Sequence, residues 1–278
     1  FSDKPSGKAK EDNFDADKAA AEIVTPTSQS GDVWLLGRHR LMCGASTAAT
    51  DVQKLMNGAL AGCIFTDPPW NVDYGADAKH PSWKARQILN DKMSTENFGA
   101  FLSSAFENMK AVAQPGCMAY VVISAQEWGN IMVPMRNAGF HWSSTIIWAK
   151  DSLVLSRKDY HTQYEPIWYG WMEGDTKSKR LHPLKDRKQS DLWKIPRPKV
   201  SEEHPPMKPV ASVARALINR SRAGEVTLDL FGGSGTTILA SAQTHRICHS
   251  IVLDPHDYYA IAACVFELAV RHAVSYLL

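Results

Sequence analysis

Cys63-Ile64-Phe65-Thr66-Asp67-Pro68-Pro69-Trp70 is an apolar run that ends in an acid, two prolines and an aromatic residue. It reads as a buried strand that delivers Asp67 to its tip. The prolines fix φ and carry no backbone N–H, so the turn offers acceptors and almost no competing donors. The Asp67 carboxylate and the Pro68 carbonyl can accept both hydrogens of one exocyclic –NH2, and Trp70 offers a flat face on which a planar ring can stack. A strand-to-loop turn with an incidental tryptophan would look the same in isolation, so the motif needs a partner.

That partner is Val226-Thr227-Leu228-Asp229-Leu230-Phe231-Gly232-Gly233-Ser234-Gly235-Thr236-Thr237. A β-type run enters a glycine-rich turn, and Ile238 to Ala242 then reads as a helix. Glycines permit φ > 0 and close approach of a ligand, while a helix N-terminus presents free N–H groups. The turn lacks the lysine of a phosphate-binding loop, and its spacing is not that of the dinucleotide fingerprint.

Together the two motifs resemble the S-adenosylmethionine-dependent amino-methyltransferases of DNA, and their order resembles the circularly permuted β class. The resemblance covers Gly31 to Ile261. It implies that Asp67, Pro68, Pro69 and Trp70 are catalytic and that Asp229, Phe231, Gly232, Gly233, Ser234, Gly235, Thr236 and Asp254 bind the cofactor. His204-Pro205-Pro206-Met207-Lys208-Pro209 matches the segment that closes over the cofactor, with Lys208 a partner for its carboxylate. His161, Glu165, Tyr169 and Gly170 fall in a stretch similar to that of phage-associated members. Such relatives often carry an upstream nuclease-like or partition-protein-like domain, and a chain that opens on Phe1 reads as a fragment or a trimmed form. The family also implies a Rossmann-like, doubly wound, mostly parallel α/β sheet, double-stranded DNA as partner, and a cytoplasmic, bacterial or phage-encoded, nucleoid-associated setting.

A chain of 278 residues suffices for one α/β domain with an insertion, and a net charge of +2 leaves DNA affinity to local patches. The five cysteines are scattered without C-x-x-C spacing, which reads as buried reduced thiols and not a zinc site; no residue cluster suggests a metal. No apolar run reaches membrane-spanning length, and the start has no signal-peptide pattern.

Residues 1–30 read as a flexible, charged leader and 31–278 as the methyltransferase domain. Val33 to Leu36, His39 to Cys43, Met118 to Ile123 and His141 to Trp148 read as strands; Thr47 to Met56, Glu96 to Val112, Trp128 to Ala138 and Met207 to Arg220 read as helices. Pro115-Gly116 is the expected stop of the second helix, and a last helix is expected from near Pro255. Within residues 171–203, nine basic residues face two acids between Thr176 and Lys199, so this reads as a basic insertion facing DNA through Lys177, Lys179, Arg180, Lys185, Arg187 and Lys188. Lys79, His80, Trp83, Lys84 and Arg86 form a second, weaker candidate. The apolar tail Ala273 to Leu278 reads equally as a homodimer seam, a core helix or a truncation scar.

An initial Asp in the catalytic motif points to N6 of adenine; members that begin with Ser act on N4 of cytosine. Two departures from the family pattern support another reading, a methyltransferase-shaped DNA-binding protein with weak or no activity. The family's Gly-Asp-Ser is Gly44-Ala45-Ser46 here, and its Glu-Leu-Asp-Pro is Val252-Leu253-Asp254-Pro255. N4 of cytosine and an RNA adenine are the remaining alternative substrates, the latter since Trp at the fourth motif position also occurs in mRNA-adenosine enzymes.

Overall fold

The computed structural model describes residues 28–72, 89–154, 159–174, 180–184, 186, 188–197 and 208–255. Its strands are β1 (Val33–Leu36), β2 (His39–Cys43), β3 (Ala61–Thr66), β4 (Ala113–Val122), β5 (Phe140–Val154), β6 (Thr162–Met172), β7 (Leu192–Lys194), β8 (Val226–Asp229) and β9 (Ile247–Val252). They form one sheet in the order β1-β2-β9-β8-β3-β4-β6-β5-β7. From β2 to β4 all neighbours are parallel; β1 is antiparallel to β2, and β6 is antiparallel to both β4 and β5. The helices are α1 (Ala49–Met56), α2 (Thr95–Ala111), α3 (Trp128–Asn137), α4 (Val210–Arg220) and α5 (Thr236–Gln243).

Every residue of β3 is buried, as a strand covered on both faces must be. Alternation along it sorts the core into two layers. Ile64 packs on one face with Val52 and Leu55 of α1, Phe98, Leu102 and Phe106 of α2, and Ile131 of α3. Cys63 and Phe65 point the other way, toward Val213 and Leu217 of α4 and Ala240 of α5. The winding is therefore double: β3 leads through α2 to β4 on one side, and β8 leads through α5 to β9 on the other. Since β3 and β8 are neighbours, a crevice opens between them at their carboxyl ends, where ligands of such sheets bind.

Local chemistry sets the element ends. Ser94 caps α2 by accepting from the Asn97 N–H at 3.3 Å, and Asn57 in the left-handed region closes α1. Pro115-Gly116 does not stop α2, which has already ended at Ala111. These two residues lie inside β4, where the pairing to β3 jumps from Ala61↔Ala113 to Cys63↔Met118. A proline cannot donate to a ladder, so it is tolerated where the ladder is interrupted.

The basic stretch 171–203 is not wholly a surface excursion. Its first two residues complete β6, and Leu192–Lys194 forms an edge strand parallel to β5. Trp193 is 2% exposed, packed in the second core layer beneath the Arg215 guanidinium. Cys43, Cys63, Cys117 and Cys248 are buried free thiols, while Cys264 lies outside the described residues. Among the described residues, no helix is long and apolar enough to cross a membrane and no group of side chains has the arrangement of a metal site.

Candidate active site

Thr66 ends β3 and Asp229 ends β8, and the Thr66 hydroxyl donates to Asp229 Oδ1 at 2.8 Å. One hydrogen bond therefore joins two motifs that lie far apart in sequence. Asp229 also accepts from the Phe231 N–H at 3.1 Å and from Thr237, so its carboxylate organises the glycine turn from within. Burial outweighs these donors and pushes its pKa up to about 6.

The turn after Asp229 approaches β9 closely. A Cβ on Gly232 would overlap Ser250 Oγ, and the Gly232 N–H donates to the Ile251 carbonyl at 2.8 Å. Gly235 holds φ at 81° and starts α5, with Ser234 and Thr236 hydroxyls 3.2 Å apart beside it. Phe231 leans on Phe101 of α2 at 5.7 Å between ring centroids. The free N–H groups of the first turn of α5, the glycine backbone and the Asp229 carboxylate suit a ligand that carries an ammonium and neighbouring acceptors.

The Asp67 turn is clamped from the segment before α2. Asp91 Oδ1 accepts from the Trp70 and Val72 N–H groups at 3.0 and 3.3 Å, and Asn71, with φ 56°, exchanges two hydrogen bonds with Met93. Pro68 is buried, while the Asp67 side chain remains 30% exposed. Trp70 Nε1 donates to Asp67 Oδ1 at 3.0 Å, and Lys208 Nζ reaches Asp67 Oδ2 at 2.8 Å while lying 4.6 Å above the Trp70 ring.

Lys208 is thus found at the Asp67 turn, bonded to Asp67 and also 3.2 Å from Glu165 Oε2. Glu165 in turn pairs with Lys150 at 2.7 Å, which completes a chain of alternating charge: Lys150, Glu165, Lys208, Asp67. Burial works against the Lys208 charge, but Asp67 and Glu165 overcome it and push its pKa above the ordinary range. Burial likewise works to raise Glu165, but the Lys208 and Lys150 ammonium groups hold it below its ordinary value. Asp67 is raised by burial, with Lys208 pulling against that rise and Glu165 adding to it.

The positions of the missing acids are neighbours. The Gly44 N–H donates to the Val252 carbonyl at 3.0 Å, and the Ala45 N–H donates to Asp51 Oδ2 at 2.9 Å. Val252 is buried with Leu41, Cys43 and Ile238. Asp254 follows the end of β9, and with Asp32 and Asp51 it adds to burial in pushing the Cys43 thiol up to about 11. Carboxylates surround this corner although neither strand end supplies one.

Of the basic insertion, Arg180 and Lys188 are described; Lys177, Lys179, Lys185 and Arg187 lie outside the described residues, as do Lys79, His80, Trp83, Lys84, Arg86 and the apolar tail. Arg180 stacks over Trp171 at 4.5 Å, and Leu181 donates to the Gly116 carbonyl at the start of β4. That is the amino end of the parallel strands, opposite to Asp67. Lys188 is exposed, its N–H bonded to Asp186. The chain then returns along β7, so Lys194 and Arg197 lie toward the site end, where the Arg197 N–H donates to Asp151.

Sequence reasoning missed Glu165, Lys150, Asp91 and Asn71 as parts of this site. Glu165 and Lys150 sit on β6 and β5, within apolar strands where a charge needs a partner, and that was the signal available.

Solved structures share the fold. The M1.HpyAVI complex with SAM superposes with a TM-score of 0.56 at 16% identity, covering 78% of this chain and 95% of that one. The cytosine-N4-specific PvuII DNA methyltransferase reaches a TM-score of 0.63 at 15% identity, over 83% and 86% of the two chains. By sequence the chain is similar to the DNA adenine methyltransferase YhdJ of Escherichia coli (strain K12), 27% identical over 203 residues. That match spans 63% of this chain and 65% of YhdJ, a little under two thirds of the relative's length. The stretch from β3 through β9 carries both motif turns and the hydrogen bond that joins them, and a family model of DNA methylases, the N6/N4 methyltransferases, matches residues 61–263; the chain belongs to that family.

Proposed function

We propose that this chain transfers a methyl group from S-adenosylmethionine to the exocyclic amine of a base flipped out of duplex DNA, with N6 of adenine as the target. The observation that carries this reading is the Thr66–Asp229 hydrogen bond, because it fixes the amine-binding turn and the glycine turn side by side at one crevice. Asp at the head of the catalytic motif and the likeness to a DNA adenine methyltransferase both favour adenine over cytosine.

Bound in the glycine turn, S-adenosylmethionine supplies an electrophilic methyl group on its sulfonium. The residues of the chain bind and aim. Asp229 takes the ammonium of the cofactor, and the N–H groups of the α5 start face its remaining acceptors. Trp70 stacks the extruded base, offsetting part of the few kcal/mol that flipping costs. Asp67 and the Pro68 carbonyl accept the two amine hydrogens and turn the nitrogen lone pair toward the methyl group. The cofactor would supply the methyl group with its thioether as the leaving group, and the methylated nitrogen would then shed its surplus proton. The raised pKa of Asp67 suits it to receive that proton.

Labelled cofactor offered with matched duplex DNA and with single-stranded RNA tests the assignment, followed by sequencing-based detection of the modified base. Label in duplex DNA at adenine N6 is the expected result. Transfer to RNA alone, or to cytosine N4, would replace the proposed substrate.

Trp70 has two separable tasks, stacking and holding Asp67 Oδ1. Trp70→Ala is expected to lose both, weakening base binding by ~1–3 kcal/mol. Trp70→Phe keeps the stacking plane and loses only the hydrogen bond, so its single-turnover rate falls between those of the wild type and the Ala variant. Equal damage by Phe and Ala would remove stacking from the mechanism.

Cofactor affinity is expected to be weak, because Ala45 and Val252 cannot accept from the adenosine half. A hydrogen bond to a charged acceptor contributes ~1.5–3 kcal/mol, so Val252→Glu is expected to tighten binding about tenfold to a hundredfold, and adding Ala45→Asp tightens it further. Because Val252 is buried, the free Val252→Glu protein is expected to melt at a lower temperature than the wild type and to regain it with cofactor. Tight binding by the unmodified chain in calorimetric titration, with no gain on substitution, would show that Asp51 or Asp254 already does this work.

A further inference from the structure

As the site stands, both Asp67 oxygens are occupied: Oδ1 by Trp70 Nε1 and Oδ2 by Lys208 Nζ. Each carboxylate oxygen can accept twice, but Lys208 Nζ also lies 4.6 Å over the Trp70 ring, on the face where a base would stack. The Lys208 ammonium must therefore leave Oδ2 when a base arrives, and a buried ammonium leaves a carboxylate readily only if another anion takes it. Glu165 Oε2 is that anion. It stands 3.2 Å from Lys208 Nζ, at ion-pair distance yet without hydrogen-bond geometry, and it has no hydrogen-bond partner. The other oxygen of Glu165 is fixed by Lys150 at 2.7 Å, and the Lys150 and Glu165 side chains are 5% and 4% exposed.

We propose that Glu165, held by Lys150, is a positioning residue that receives Lys208 from Asp67 and so unmasks the catalytic carboxylate when the target amine enters. This rests on the methyl-transfer reading of the site. The displacement is a small rotation of the lysine end group, and the charge of the four-membered chain is conserved throughout. In the absence of a base, Lys208 keeps Asp67 paired and the Trp70 face covered. With a base present, the amine replaces Lys208 on Oδ2, and Lys208 turns onto Glu165 Oε2.

Two substitutions displace Lys208 in opposite directions. Glu165→Gln leaves Asp67 as the only anion for Lys208, which locks the mask. Lys150→Gln strips Glu165 of its other cation, which draws Lys208 toward Glu165 and off Asp67. Crystal structures of the two variants are expected to show Lys208 Nζ bonded to Asp67 in the first and to Glu165 in the second. Single-turnover methylation at saturating cofactor is expected to fall on the order of tenfold in Glu165→Gln and by less in Lys150→Gln, where Glu165 keeps its charge.

The same Lys208 position in both structures overturns the proposal, and so does an equal fall in both rates, which is what a purely structural ion chain would give. Should Glu165→Gln fail to fold, the position of Lys208 in Lys150→Gln decides alone. The crystallographic comparison holds whether or not methyl transfer is detected, so an inactive wild type would count against the methyl-transfer reading and not against the exchange of Lys208 between two carboxylates.

Discussion

Asp67→Ala is expected to abolish methyl transfer while leaving duplex affinity nearly unchanged. Removing one preorganised hydrogen-bonding group from an active site typically lowers the rate on the order of 10²–10³-fold, and in the proposed mechanism Asp67 supplies one of the two acceptors that hold the amine. Its side chain is partly accessible, and a carboxylate offers phosphates no donor, so the duplex is expected to lose little. Single-turnover rates with labelled cofactor, beside equilibrium binding to the same duplex, decide the matter. Retention of most of the wild-type rate would sink the mechanism, and a parallel loss of DNA affinity would recast Asp67 as a binding residue.

For Asp229 the expected effects on stability and on binding have opposite signs. Its pKa is raised from 3.8 to about 6 on folding, so between those values the folded chain holds the proton more tightly than the unfolded chain does. Stability from this group is therefore present at low pH and is lost as pH rises through about 6. A shift from 3.8 to about 6 corresponds to a destabilisation of up to roughly 3 kcal/mol above that pH. Asp229→Asn keeps an acceptor for Thr66 and Phe231 and removes the charge, so it is expected to raise the melting temperature at pH 7 to 8 and to have no such effect below pH 3.8. The same change removes the partner of an ammonium-bearing ligand and is expected to weaken cofactor binding at least tenfold to a hundredfold. In the wild type, binding is expected to tighten as pH rises through about 6, with proton release. Melting curves with and without S-adenosylhomocysteine measure both effects, and an Asn variant that is less stable yet still binds would contradict both halves of the argument.

The sheet and its two working ends could be read from the chain because they rest on local signals. Apolar runs closed by Asp67-Pro68-Pro69 and by Asp229 to Gly235 announce strand ends, and the periodicity of α2 is visible in Phe98, Leu102 and Phe106. What could not be read depends on pairing across the fold. Nothing local tells that Lys208 meets Asp67, or that Glu165 on β6 and Lys150 on β5 lie beside it, since strand register decides that. Pro115-Gly116 misled because a breaker looks alike at a helix end and at a ladder interruption. Charge density alone does not tell that Arg180 lies at the end of the sheet opposite Asp67, beside the Leu181–Gly116 hydrogen bond, and it hid Trp193 within a basic run although that side chain is core.

The seam between β3 and β8 is short, with Cys63 opposite Thr227 and Ile64 opposite Leu228. Each side of it is a self-contained strand–helix–strand winding that ends in one half of the site, and no covalent link runs through the seam itself. The chemistry thus depends on the halves lying side by side and is indifferent to which one is translated first. A rearranged chain that exchanged their order would need only new connections at the periphery and would keep the same seam.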